Sequence, residues 1–335
     1  MRTCLLPLLC LLLLLPMAAA ADYAGDPRAT KLYSLLRERY GFSEADLQAV
    51  RDGLAQAKRL PDLVTTEHNA KERTLTWDAY EPIHVNDANI AAGRRFMSEQ
   101  REWLAKAEAE YGVPPQVVAA ILGVETKYGR YTGRYRALDT LSTLGFEHPT
   151  RSDFFMNELA QLFVLCRDDH FDVTALKSSY AGALGAAQFM PSNYRKLGVD
   201  FDGDGKVDLW SAPDAIGSVA QYLVRYRPEA AWHRGEPLFV KAALEGALPA
   251  DLPNNTMLPD QTVGSLEKAG LRSNPALPAS LTAGLVELNR RDGIEYWFAL
   301  PNFYSVMTYN PKTFYAAAVA ALADALSQPA SGSTQ

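Results

Sequence analysis

The sequence predicts an α+β fold, mainly helical, with a small antiparallel β subdomain toward its C-terminal end. Three observations carry that reading. Between residues 30 and 166 apolar side chains recur every three or four positions, the period that stacks them on one face of a helix. From Trp232 onward short runs rich in aromatic and β-branched residues take over, bounded by Pro, Gly and Asn, which is how strands read. At 311–326 the helical period returns. With 335 residues, 48% of them apolar, the chain can bury a large core and has room for two or three domains.

Residues 1–21 read as a secretory signal, with Arg2 as a thin basic start, an apolar centre at 5–15 and small residues at 17–21. The apolar run is too short to favour a membrane span, although an uncleaved anchor is the alternative. A lipid-bearing cysteine would follow the apolar centre; Cys10 lies inside it, so no lipoprotein signal is read and the periplasm is the expected compartment. Cleavage leaves Cys166 as the one cysteine, a small core residue with no disulfide partner. The 33 basic and 39 acidic residues, less Arg2 in the leader, leave a net charge of −7. An acidic chain with no basic cluster is a poor nucleic-acid binder.

Residues 30–40 and 43–60 read as an antiparallel helix pair, the second opened by Ser43 with Glu44 and Asp46 behind it. The weakly alternating stretch 64–82, with Trp77 and Tyr80, reads as irregular, and 86–111 as one long amphipathic helix. The next helix opens at Pro114 and Pro115, where a missing N–H costs nothing, and stops before Gly129. On its wheel Glu125 shares a face with Val118, Ile121 and Leu122. A carboxylate at the end of an apolar stripe has its charged form disfavoured, as a general acid requires. The plainer alternative is a half-exposed glutamate paired with Lys127 or Arg130. Further helices are expected at 134–144, 152–166, 262–269 and 311–326, strands at 237–240, 281–288 and 294–307, and a disordered polar tail at 327–335.

Two other stretches carry chemistry. Asp200, Asp202 and Asp204 occupy positions 1, 3 and 5 of an EF-hand calcium loop, with Gly205 at the turn and the Lys206 carbonyl at position 7. Crowded carboxylates repel unless a hard cation sits among them. Position 12 is Ser211 rather than Glu, and Asp214 is placed to close an enlarged loop; the alternative is an Asp-Gly turn that caps the following helix. The glycine-rich stretch 176–194 combines Gly182 and Gly185 with Ser179, Gln188 and Asn193 and with Tyr180, Phe189 and Tyr194. Glycines admit a ligand close to the backbone, and neutral hydrogen-bonding groups beside flat rings suit sugars. A tight helix crossing would explain the small residues equally well. The five histidines form no i, i+4 pair, so zinc is not expected, and no nucleophile elbow or phosphate loop is present.

Taken together, GVETKYG at 123–129, SYAGALGAAQFMPS at 179–192, VDFDGDG at 199–205 and DAIGSVAQY at 214–222 resemble the lytic murein transglycosylase B family, glycoside hydrolase family 103. The resemblance implies a lysozyme-like catalytic core at 86–230, a helical domain built from 22–85 and 308–326, and the β subdomain at 231–307. It also implies cleavage of the β-1,4 bond between N-acetylmuramic acid and N-acetylglucosamine in peptidoglycan, with a 1,6-anhydro ring left behind. By position, Glu125 matches the catalytic acid/base. Ser179 matches the residue that holds the muramyl N-acetyl group, and Gln188, Tyr222, Arg151, Tyr80, Tyr309 and Asn310 match cleft positions. Asp200, Asp202, Asp204, Lys206 and Asp214 match a structural Ca2+ loop. Thr150 departs from the family's paired arginines. Glycan strands are the expected partner, other cell-wall enzymes are candidates, and a monomer is expected.

An ordinary glycosidase needs two carboxylates, whereas the helix supplies one. A single acid suffices if the substrate's own N-acetyl group and C6 hydroxyl complete the reaction. The rivals are a hydrolytic muramidase on the same fold and a non-catalytic, calcium-stabilised glycan-binding protein.

Overall fold

A computed structural model describes residues 22–68 and 75–329. The predicted leader and residues 330–335 of the predicted tail lie outside the described residues. In chain order the helices before the first strand are α1 (Ala29–Tyr40), α2 (Glu44–Gln56), α3 (Pro61–His68), α4 (Trp77–His84), α5 (Asp87–Glu99), α6 (Arg101–Tyr111) and α7 (Pro115–Thr126). Then come β1 (Tyr135–Arg136), α8 (Ala137–Glu147), α9 (Ser152–Asp168), β2 (Lys177–Ser178), α10 (Pro191–Leu197) and α11 (Ala212–Arg225). The last third holds β3 (Phe239–Leu244), β4 (Gln261–Thr262), α12 (Val263–Lys268), β5 (Leu271–Ser273), β6 (Thr282–Arg290), β7 (Gly293–Ala299), α13 (Pro301–Met307) and α14 (Thr313–Ser327).

The core is built around α7. Its residues from Val117 to Gly123 are all buried, and α5, α6, α11 and α14 surround it. Val118, Ile121 and Leu122 each contribute about 2 kcal/mol by leaving water. The predicted helix 86–111 breaks at Gln100 (φ −104°, ψ 22°). The bend lets α5 lie on α7 and α14 while α6 turns onto α11. The antiparallel pair α8 and α9 forms a second layer, against which α1, α2 and α3 pack.

The stretch 64–82, expected to be irregular, holds most of α3 and the first six residues of α4. Pro61 sits at the head of α3, where no N–H is needed, and Pro82 in the last turn of α4. The helix start expected at Ser43 is closed by a capping box: Ser43 N donates to Asp46 Oδ2 at 2.8 Å and Asp46 N donates back to Ser43 Oγ at 3.2 Å. The same helix stops at Gln56 rather than 60, because the next amides are claimed elsewhere. Lys58 N donates to Asp139 Oδ1 (2.8 Å) and Leu60 N to Thr143 Oγ1 (3.0 Å).

The C-terminal sheet is antiparallel with strand order β4-β6-β7-β3-β5. Side chains alternate across it. Leu285 and Phe298 join a small core with Val263, Leu266 and Leu271, while Val286 and Trp297 face the main core. Trp297 stacks on Phe239 at 3.9 Å and meets Trp77 edge-on at 6.1 Å. The strand predicted over 294–307 ends at Ala299; Leu300 is extended and Pro301 opens α13. Likewise Tyr135 and Arg136, predicted helical, pair with Ser178 and Lys177 as a two-stranded ribbon before α8 begins. Among the described residues no helix is long and apolar enough to cross a membrane.

Candidate active site

A cleft of about 590 Å³ opens at the C-terminal end of α7. Its wall takes Tyr80 from α4, Glu125 from α7, Arg151 from the start of α9, Ser179 and Gln188 from the glycine-rich loop, Tyr222 from α11 and Tyr309 and Asn310 from beyond α13. All eight residues singled out in the sequence as catalytic or substrate-binding therefore face one space. It continues into a second chamber of about 650 Å³, the two sharing Arg151, Met190, Asn193, Tyr222 and Tyr309.

Glu125 is half-buried, one residue before α7 ends. Neither of the basic partners considered in the sequence holds it: Lys127 Nζ donates to the Ile83 carbonyl at 3.0 Å, and Arg130 lies over the Tyr131 ring. Instead Tyr315 donates its hydroxyl to Glu125 Oε1 at 2.6 Å. Burial, then the neighbouring carboxylate, pushes the Tyr315 phenol well above its ordinary value, so it stays a donor. Sequence reasoning missed Tyr315. The signal was there, a lone tyrosine in the alanine- and leucine-rich helix α14. No other carboxylate among the described residues lines this chamber.

Beyond α7 the chain reverses sharply. Lys127 (φ 52°), Tyr128 (φ 62°) and Gly129 (φ 84°) are all left-handed, a strain of about 1 kcal/mol for each non-glycine residue. Thr126 fixes the turn, since its Oγ1 donates to the Ala186 carbonyl (3.0 Å) and accepts from Gly129 N (2.9 Å). The loop then presses Gly133 (φ 126°) on the backbone of Ser178 and Ser179, where a Cβ would come within 2.2 Å of the Ser178 carbonyl.

Ser179 is pinned by its own loop: its N donates to the Ala183 carbonyl (2.9 Å) and its Oγ accepts from Ala183 N (3.1 Å), which leaves the hydroxyl proton to donate. Gln188 spends its amide protons on the Thr132 (3.1 Å) and Gly185 (2.9 Å) carbonyls, leaving Oε1 as acceptor. Gly182 and Gly185 do not open a path for ligand. Leu141 and Leu209 fill that space, at 2.4 and 2.5 Å from where a Cβ would stand. Nor is the stretch a helix crossing; it is a turn held by bridges from Leu184 to Ser178 and Phe189. Tyr222 and Tyr309 lose their hydroxyls to the Thr308 (2.7 Å) and Ala187 (2.5 Å) carbonyls, so what they offer is ring face. Tyr80 is buried in a cluster with Trp77, His84 and Phe314. Arg151 lies over Phe154 and Phe155, and Thr150 beside it is exposed. In the second chamber Glu158 is buried and accepts from Ser192 N (2.9 Å) and Oγ (2.7 Å). Burial pushes its carboxyl up, against the pull of those bonds.

The acidic loop lies directly behind the cleft. Carboxylate oxygens of Asp200, Asp202 and Asp214 fall within 4.8 Å of one another. Asp204 lies outside that trio and accepts from Lys206 N at 2.9 Å. Asp214 is buried and anchors both ends of the loop, accepting from Phe201 N and Asp208 N at 2.7 Å each. Burial raises its pKa and the Asp202 charge adds to the rise. The cap of α11 is Ser211, whose Oγ accepts from Asp214 N (3.4 Å), so capping does not account for the aspartates. The loop supports the cleft through Ala186 N, which donates to the Leu209 carbonyl at 2.7 Å.

Residues 27–324 match the family model described as a transglycosylase SLT domain. The chain is 36% identical over 319 residues to the membrane-bound lytic murein transglycosylase B of Escherichia coli K12, covering 92% of this chain and 85% of that protein. Among solved structures it is similar to the catenated lytic transglycosylase SltB1 from Pseudomonas aeruginosa (TM-score 0.83, 38% identity, 91% of this chain and 98% of that one). It is also similar to the Escherichia coli lytic transglycosylase Slt35 in complex with calcium (TM-score 0.81, 36% identity, 92% and 96%). The fold and cleft are thus those of a lytic transglycosylase, a class of enzyme. The chain belongs to the lytic murein transglycosylase B family.

Proposed function

We propose that this enzyme cleaves the β-1,4 bond between N-acetylmuramic acid and N-acetylglucosamine in peptidoglycan, with Glu125 as its single acid/base. The supporting observation is that, among the described residues, Glu125 is the one carboxylate that lines the chamber, and a tyrosine hydroxyl donates to it. With Tyr315 bonded to Oε1, the carboxyl proton resides on Oε2 and passes to the glycosidic oxygen as the C1–O bond breaks. The muramyl N-acetyl oxygen, held by the Ser179 hydroxyl, stabilises the cationic C1. Glu125, now a carboxylate, takes the proton from the C6 hydroxyl of the same sugar as that oxygen bonds to C1. Water is not consumed and the carboxyl group is regenerated. Tyr222 and Tyr309 give ring faces to the sugars, Gln188 Oε1 accepts a hydroxyl or amide proton, and Tyr80, Arg151 and Asn310 complete the wall.

Calcium fits the acidic loop, whose donors are hard carboxylate oxygens crowded around a buried, uncompensated Asp214. Asp200, Asp202, Asp204, Asp214 and the Lys206 carbonyl are the ligands we assign, and the ion's role is structural. The site of action is the periplasm, reached through the leader. Mass spectrometry of digested sacculi tests the reaction: 1,6-anhydromuramyl ends are expected, and reducing ends would establish a hydrolytic muramidase instead. Binding to sacculi without release of soluble fragments would leave only a glycan-binding protein.

A further inference from the structure

The acidic average of this chain conceals a local excess of the opposite sign at the lip of the cleft. Arg130 and Arg134 are exposed on the loop that leaves α7, and Lys177 is exposed on β2. Arg134 directly precedes Tyr135, and Lys177 directly precedes Tyr135's partner Ser178, so both cations lie at the same short ribbon. Arg136 itself is neutralised by Asp139 (2.5 Å). Arg130, Arg134 and Lys177 have no carboxylate within ion-pair distance among the described residues. The two arginines are instead laid out on rings: Arg130 sits over Tyr131 at 5.4 Å, and Arg134 over Tyr135 at 4.9 Å with a bond to that hydroxyl at 2.7 Å. Tyr131 and Tyr180, 62% and 40% exposed, stand between these cations and the cleft, whose wall both help to form.

A neutral sugar gains nothing from three uncompensated cations, whereas a polymer that carries carboxylates does. Resting on the reading of the cleft as a peptidoglycan-cleaving site, we propose that this lip binds the carboxylates of the peptide stems on the glycan strand as it leaves the cleft. It thereby draws the enzyme to stem-bearing strands without taking part in bond cleavage.

The test compares wild type with the triple variant R130Q/R134Q/K177Q, each change removing the charge while leaving a polar, hydrogen-bonding side chain. The substrates are native sacculi and sacculi whose carboxylates have been amidated, both in low salt. On native sacculi the variant is expected to show a KM raised about tenfold at unchanged kcat, and a weaker dependence of KM on salt. On amidated sacculi the two enzymes should coincide. An equal loss on both substrates, or no loss on native sacculi, would overturn the proposal. Whether the new ends are anhydro or reducing bears only on the mechanism at Glu125 and leaves this comparison of KM intact.

Discussion

Two groups of acids in this molecule are handled in opposite ways. Glu125 is the one carboxylate among the described residues that lines its chamber, with a tyrosine hydroxyl at one oxygen and the open cleft beside it. Asp200, Asp202 and Asp214 crowd within 4.8 Å on a loop whose amides turn inward to meet them. A carboxyl with no second acid crowded against it can hold or release a proton at little cost to the fold, which is what proton transfer needs. Clustered carboxylates lose stability as each one ionises, unless a cation compensates them. The first arrangement suits the proton transfer proposed for Glu125, and the second suits the structural ion proposed for the loop.

Changing each group should therefore fail in its own way. Glu125→Gln is expected to lower kcat about 10³-fold or more with the melting temperature unmoved; a variant that still turned over near the wild-type rate would take the proton donor away from this residue. For the aspartates the order reverses, with stability suffering first. Calcium at a hundredfold excess over its Kd should raise the melting temperature by about 5 °C. Chelator should undo that rise, and Asp214→Asn should abolish it; a scan indifferent to both ions and chelator would leave the loop without a metal. Tyr315→Phe probes the lone acid more gently, with an expected fall in kcat of about tenfold and little change in KM, read by steady-state kinetics on sacculi.

Glu147 sharpens the contrast, because basic and phenolic donors rather than other acids surround it. Burial alone would push its carboxyl up; bonds from Arg59 (2.9 Å) and Tyr23 (2.8 Å) hold it below the usual range. Its stabilisation is thus present above the unfolded value of about 4.3 and is lost as pH falls through the lower folded one. Glu147→Gln should cost about 1 kcal/mol at pH 7 and nothing at the acid end of that window, measured by urea unfolding.

What could be read from the chain follows from how local each cause is. The apolar period around Glu125, the Asp-Gly spacing and the helix start at Ser43 are short-range patterns, and each lies where the sequence places it. The partner of Glu125 sits 190 residues away, so no local period points to it. Residues 135–136 and 58–60 were misread for the same reason: strand pairing and distant side chains, not propensity, decide their conformation. The glycines at 182 and 185 were assigned correctly as tight spots but to the wrong neighbour, since only the assembled fold shows Leu141 and Leu209 there.

The position of Tyr315 also has a bearing on when activity can arise. Read from its N-terminus, the chain supplies Glu125 early and the last cleft residues, Tyr309, Asn310 and Tyr315, near its end. Until α14 docks along α7, one side of the groove is missing. A fragment cut before Thr313 keeps every motif by which the family is recognised and still cannot grip its acid. The groove facing Glu125 is thereby closed only by a helix from the far end of the chain.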